Sequence, residues 1–205
     1  AQHMSTTAQQ EAVVVNAWAP ERRAPRGESP EVVTDFLLAT LVERHRVLTR
    51  SETAYHALVT WRAPIKDAQI AALRALKRDP PPALIEQVAQ RLAVASHRLF
   101  DGVPKAVVAV PCGNSGEACL ANKLAKRVAE LLGVVHYDAF AAIPVTGSSH
   151  PRRNVARPNM RLIEPPSGPV LLIDDVATSG SHLAEASELL RASGAAVFAL
   201  VWLAG

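Results

Sequence analysis

The chain of 205 residues is 49% apolar but only 4% aromatic, and 20% charged. That composition suits one or two globular domains with cores of Ala, Val and Leu, and it excludes a wholly disordered chain or a coiled coil. A formal net charge of +3 gives too weak a field to argue for nucleic acid or an acidic membrane as partner, leaving only a local basic patch open.

No apolar run approaches the roughly 18 residues of a membrane span. Ala1-Gln2-His3 before Met4 reads as a cloning remnant, with no secretory pattern behind it, so the expected location is cytoplasmic. The two cysteines, Cys112 and Cys119, are too few for a disulfide framework or a four-cysteine zinc site and are expected as reduced thiols.

Residues 1–29, broken by Pro20, Pro25 and Gly27 and carrying Arg22, Arg23 and Arg26, are expected as a mobile arm. Ser29-Pro30 is a helix start, and Val33, Leu37, Leu41 and Leu48 continue at helical spacing, which predicts a helix over residues 30–48. Residues 56–61 have strand character. Further helices are predicted over 66–77, stopped by Asp79-Pro80-Pro81-Pro82, and over 84–99, stopped by Asp101-Gly102.

After Gly102 short runs of branched residues alternate with helical stretches, which marks a parallel α/β core over 103–205 behind a helical region over 30–102. One βαβ unit comprises a strand at 106–110, a small-residue loop at 112–117, a helix at 118–132 ended by Gly133, and a strand from Val134. A second comprises a strand at 170–173, a loop, a helix at 181–191 and a strand at 196–203. Between the units, residues 145–161 are polar, basic and without periodicity, and a loop of that length is usually functional or disordered.

The chemistry concentrates in residues 170–182, VLLIDDVATSGSH. A buried strand delivers Asp174 and Asp175 at its carboxyl end, where open α/β sheets bind ligands, and a small polar turn then opens a helix. Backbone N–H groups and the hydroxyls of Thr178, Ser179 and Ser181 suit a phosphate, aided by the helix dipole. The two carboxylates suit a vicinal diol or a hydrated magnesium ion. A phosphate beside a diol describes a ribose 5-phosphate. Neither Gly-Lys-Ser/Thr nor Gly-x-Gly-x-x-Gly occurs in the chain.

This stretch resembles the 5-phosphoribosyl-1-pyrophosphate (PRPP) signature of type I phosphoribosyltransferases. Ala177 stands where that family usually has a larger aliphatic residue, and His182 where Thr or Ser is common. Ala72-Leu-Arg-Ala-Leu-Lys77, Val107 to Pro111 with the helix that follows Gly116, and Arg152-Arg153-Asn154 are together similar to the ComF-like, competence-associated branch, without that branch's cysteine-rich zinc ribbon.

The resemblance implies a parallel sheet flanked by helices under an N-terminal helical hood, and a Mg-dependent displacement of pyrophosphate from PRPP. Asp174 and Asp175 would be catalytic and would hold magnesium. Ala177, Thr178, Ser179, Gly180 and Ser181 would bind the 5′-phosphate, and Cys112, Gly113, Asn114, Ser115 and Lys77 the pyrophosphate. Arg152, Arg153 and Arg157 would close over it from a mobile loop.

Thr178 stands where 6-oxopurine enzymes of the family tend to carry Asp, and no aromatic follows the last strand to stack on a base. The acceptor is therefore expected to be set by the hood. The expected ligand is PRPP or a ribose 5-phosphate nucleotide, with a homodimer compatible and no membrane. The alternative is a PRPP- or nucleotide-binding regulator, or a DNA-uptake accessory, without efficient transfer.

Overall fold

Ser29 caps the first helix as its sequence predicts. Its side chain accepts a hydrogen bond from the Val32 N–H at 3.3 Å, Pro30 takes the first turn, and Val33, Phe36 and Leu37 are buried along α1, Pro30–Thr40. The computed structural model describes residues 27–102, 104–112, 119–142 and 160–205.

The helix does not continue to Leu48. Leu41 turns extended, and β1, Val42–Arg50, follows. Within it Arg46, Leu48 and Arg50 are half-buried while Val47 and Thr49 face water. That period of two overrides the helical spacing of the same apolar residues. Ser51 and Glu52, both left-handed at φ 49 and 62°, then reverse the chain into β2, Thr53–Thr60, antiparallel to β1. Such a turn is normally announced by Asn-Gly or Asp-Gly, and Ser-Glu gives no such signal.

The other predicted helices appear close to their expected bounds. After a short 3₁₀ turn, Ala63–Ile65, α2 is Lys66–Arg78 and α3 is Pro82–Leu99. Then β3, Ala106–Ala109, leads to α4, Leu120–Leu132, which ends on a left-handed Gly133 at φ 68°. β4 is Val135–Tyr137. β5, Phe140–Ala142, pairs antiparallel with β6, Met160–Leu162, so Met160 and Arg161, expected as the end of a loop, are strand. β7, Val170–Ala177, α5, Ser181–Ala192, and β8, Val197–Ala204, complete the chain.

The main sheet has the order β1-β2-β8-β7-β3-β4, parallel throughout except for β1. One face carries α1 to α4 over a core that includes Leu37, Leu84, Leu92, Leu124, Ile173 and Trp202. The other carries α5, with Leu183 and Leu190 packed on Val108, Leu172 and Val201.

The expected mostly parallel α/β sheet flanked by helices is therefore present. The hood, however, is helices plus a hairpin, and the hairpin extends the sheet itself. The connections from β3 to β4 and from β7 to β8 leave in opposite directions and cover opposite faces, so the crevice opens at the carboxyl ends of β3 and β7. Among the described residues, no helix is long and apolar enough to cross a membrane.

Candidate functional site

β7 runs past the point predicted for its end, so Asp174 and Asp175 belong to the strand and are 9% and 3% exposed. Each carboxylate is held locally: the Asp175 N–H donates to Asp174 Oδ1 at 2.9 Å, and the Val176 N–H donates to Asp175 Oδ1 at 2.7 Å. Lys77, in the last turn of α2, places Nζ 2.8 Å from Asp175 Oδ2. Residues almost a hundred positions apart thus form one acid–acid–base cluster. Burial first, then the charge of Asp175 and a hydrogen bond with it, push the Asp174 carboxyl well above the usual carboxylate range, against a smaller pull from Lys77.

Beyond β7 the chain turns through Thr178, Ser179 and Gly180 into α5. Gly180 is left-handed at φ +74°, and a Cβ on it would lie 3.2 Å from Arg50 Cβ and 3.6 Å from Tyr55 Cε1. Glycine is required there on both counts. Ser179 Oγ lies 3.1 Å from Ser181 Oγ and accepts from the Ser181 N–H at 3.3 Å. The Ala177 side chain is buried in the α5-side core, and its carbonyl accepts from the Gly205 N–H at 3.3 Å.

The hood hairpin reaches this turn. Arg50 donates to the Thr178 and Gly205 carbonyls, and Ser51 Oγ donates to the Ser179 carbonyl at 3.3 Å. In a trans peptide the carbonyl and the following N–H point in opposite directions. Anchoring these two carbonyls to the hairpin therefore aims the N–H groups of Ser179 and Gly180 away from it, as an anion-binding turn requires. Neither Arg50 nor Ser51 is a sequence-level candidate, because the helix expected over 30–48 hides the hairpin that carries them.

Beside the acid pair lies a cavity of about 470 Å³. Leu73, Arg74 and Lys77 of α2 form one wall, Val176 and Thr178 the floor, and Trp61 with Gly205 the far end. No aromatic follows the last strand; the aromatic of the cavity is Trp61, which comes from the hood just after β2, with its indole packed against Gly205.

On the other side of the crevice, the Val110 N–H donates to the Ile173 carbonyl at 2.9 Å, so the exit of β3 lies alongside β7. Cys112, just beyond, is half-buried. It is joined to Cys119 in a disulfide with a Cα–Cα distance of 6.1 Å, which corrects the expectation of two reduced thiols. The fold causes this, by setting the strand exit and the α4 N-cap, Cys119, within bridging range. Cys119 Sγ also accepts from the Asn122 N–H at 3.4 Å. Gly113, Asn114, Ser115, Arg152, Arg153 and Arg157, and the arm up to Arg26, lie outside the described residues.

No protein-family model matches the chain. No curated protein sequence matches it either. Solved structures do. An orotate phosphoribosyltransferase from Aeropyrum pernix is 18% identical, with 85% of this chain and 80% of that one covered and a TM-score of 0.41. An adenine phosphoribosyltransferase from Saccharomyces cerevisiae is 12% identical over 85% and 89% of the two chains, at a TM-score of 0.47. One from Trypanosoma brucei, solved with AMP, pyrophosphate and ribose-5-phosphate, is 9% identical over 88% and 82%, at a TM-score of 0.40.

Proposed function

We propose that this chain is a type I phosphoribosyltransferase of the ComF-like kind, which binds PRPP at the β7–α5 junction and transfers its ribose 5-phosphate with release of pyrophosphate. The observation that carries the reading is the buried Asp174-Asp175 pair, held by Lys77 and continuous with an anion-binding turn at the mouth of the sheet crevice. A 5′-phosphate sits on the Ser179 and Gly180 N–H groups, the Ser181 hydroxyl and the first turn of α5, where the dipole favours negative charge. The ribose hydroxyls then fall over the carboxyl pair, which accepts their hydrogen bonds.

Lys77 faces both the pair and the cavity, so its ammonium is available to the departing pyrophosphate. Transfer of this kind passes through a cationic sugar, and positioned charges supply most of the acceleration.

Among the described residues, no three metal-ligating side chains come together, and the donor set is the two carboxylates. That set fits magnesium, which needs only one or two protein carboxylates and completes its shell with waters and substrate phosphate oxygens. Asp174 and Asp175 would hold it, and it would neutralise charge on the leaving pyrophosphate.

The test is calorimetry of magnesium-PRPP binding to the wild type and to the Asp174→Asn, Asp175→Asn double variant, alongside pyrophosphate release with a panel of bases and amines. Binding that weakens at least about tenfold in the variant supports the assignment. Equal affinities would overturn it.

A further inference from the structure

The cavity beside the acid pair has a lining that restricts what enters it. Its walls are largely apolar, with Ile70, Leu73 and Val176 joined by the Trp61 indole. Its charged side chains are all cations: Lys66, Arg74 and Lys77. No carboxylate side chain lines it, and among the described residues only Lys77 of the three has an ion pair, with Asp175. Lysine and arginine side chains donate hydrogen bonds and accept none. A neutral ring that presents alternating donors and acceptors would leave its donors unanswered by them, whereas a carboxylate offers only acceptors and matches an arginine fork with two parallel bonds.

We propose that the acceptor in the transfer is a planar nitrogen heterocycle carrying a carboxylate, its ring against Trp61 and Val176 and its carboxylate on Arg74 and Lys66. The proposal rests on the phosphoribosyl-transfer reading above and adds the class of acceptor to it. In the reaction, a lone pair on the ring nitrogen forms the bond to C1 of the ribose as the bond from C1 to the pyrophosphate oxygen breaks. The bonding electrons leave with pyrophosphate; a ring nitrogen that carries a proton, as in orotate, gives it to water, and one that carries none, as in nicotinate, is left as a pyridinium cation. Arg74 and Lys66 select and orient the ring, and Trp61 fixes its plane, so all three are specificity residues rather than proton carriers.

Matched pairs of rings make the test: orotate against uracil, and nicotinate against nicotinamide. Each is titrated calorimetrically into the intact protein and then offered as acceptor with magnesium-PRPP while pyrophosphate release is followed. In at least one pair the carboxylated ring should bind at least about tenfold more tightly than its neutral partner. Arg74→Gln and Lys66→Gln, both at exposed positions and so compatible with folding, should each remove most of that preference, and Arg74→Lys should restore part of it. Where turnover is seen, the loss should lie in the KM of the acceptor and not in that of PRPP.

Equal binding of both members of both pairs, or no binding by either carboxylated ring, overturns the proposal. So does an Arg74→Gln variant that loses PRPP affinity and keeps ring affinity, since that result gives these cations to pyrophosphate. PRPP binding measured separately keeps the two levels apart. Carboxylated rings bound without PRPP would defeat the transferase reading, and PRPP bound without ring selectivity would defeat only the acceptor class.

Discussion

Removing Lys77 should expose how the acid pair is held. In Lys77→Met the Asp175 side chain, 4% exposed, keeps its place but loses the ammonium 2.8 Å away. Breaking a fully buried pair by taking one partner costs about 3–5 kcal/mol. Lys77 is 38% exposed, however, so water reaches the vacated side and the expected cost is nearer 2 kcal/mol. Urea unfolding should therefore show Lys77→Met destabilised by about 2 kcal/mol, with a melting temperature roughly 4–8 °C lower. Asp175→Asn removes the charge that Lys77 answers, so the double variant should recover about 1–2 kcal/mol relative to the sum of the single effects. Additive single effects, or a Lys77→Met variant as stable as the wild type, would refute the ion pair as the element that holds the site together.

Three further outcomes follow from the same geometry. Because the folded state holds the Asp174 proton more tightly than the unfolded chain, its contribution to stability is complete below about pH 4 and is lost as pH rises through the elevated folded value. Asp174→Asn should thus raise the melting temperature at neutral pH, flatten the stability profile there and still weaken PRPP binding; an unchanged profile would contradict it. Arg50→Leu frees the Thr178 and Gly205 carbonyls, so the affinity for inorganic phosphate or a 5′-nucleotide should fall about tenfold by calorimetry, with little change for an unphosphorylated nucleoside. The Cys112–Cys119 bridge closes a short loop, and its loss in Cys119→Ser should cost about 2 kcal/mol. Titration of the unreduced protein under denaturing conditions should find no free thiol, and two thiols would refute the bridge.

Much of this molecule is legible along the chain because it rests on short-range physics. The Ser29-Pro30 start of α1, the proline stop after α2, the glycine that ends α4 and the apolar run of β7 each act within a few residues. The order of residues 174–181 is itself what the proposed phosphate and diol end of the site is read from, since a strand, an acid pair, a left-handed glycine and a helix start need no distant partner to be recognised.

What tertiary structure decided is everything that depends on partners far apart in sequence. Residues 42–50 carry apolar spacing that serves a helix, and they become a strand because β2 beside them pairs with β8 and extends the sheet. That outcome carries Arg50 and Ser51 to the phosphate turn and Trp61 to Gly205. Lys77 meets Asp175, and Cys112 meets Cys119, only once helices and strands have packed. A side chain's local propensity is a matter of tenths of a kcal/mol, whereas burying a sheet face is worth far more. Local signals therefore set the elements wherever packing agrees with them, and packing alone assembled the acid–lysine cluster and the cavity beside it.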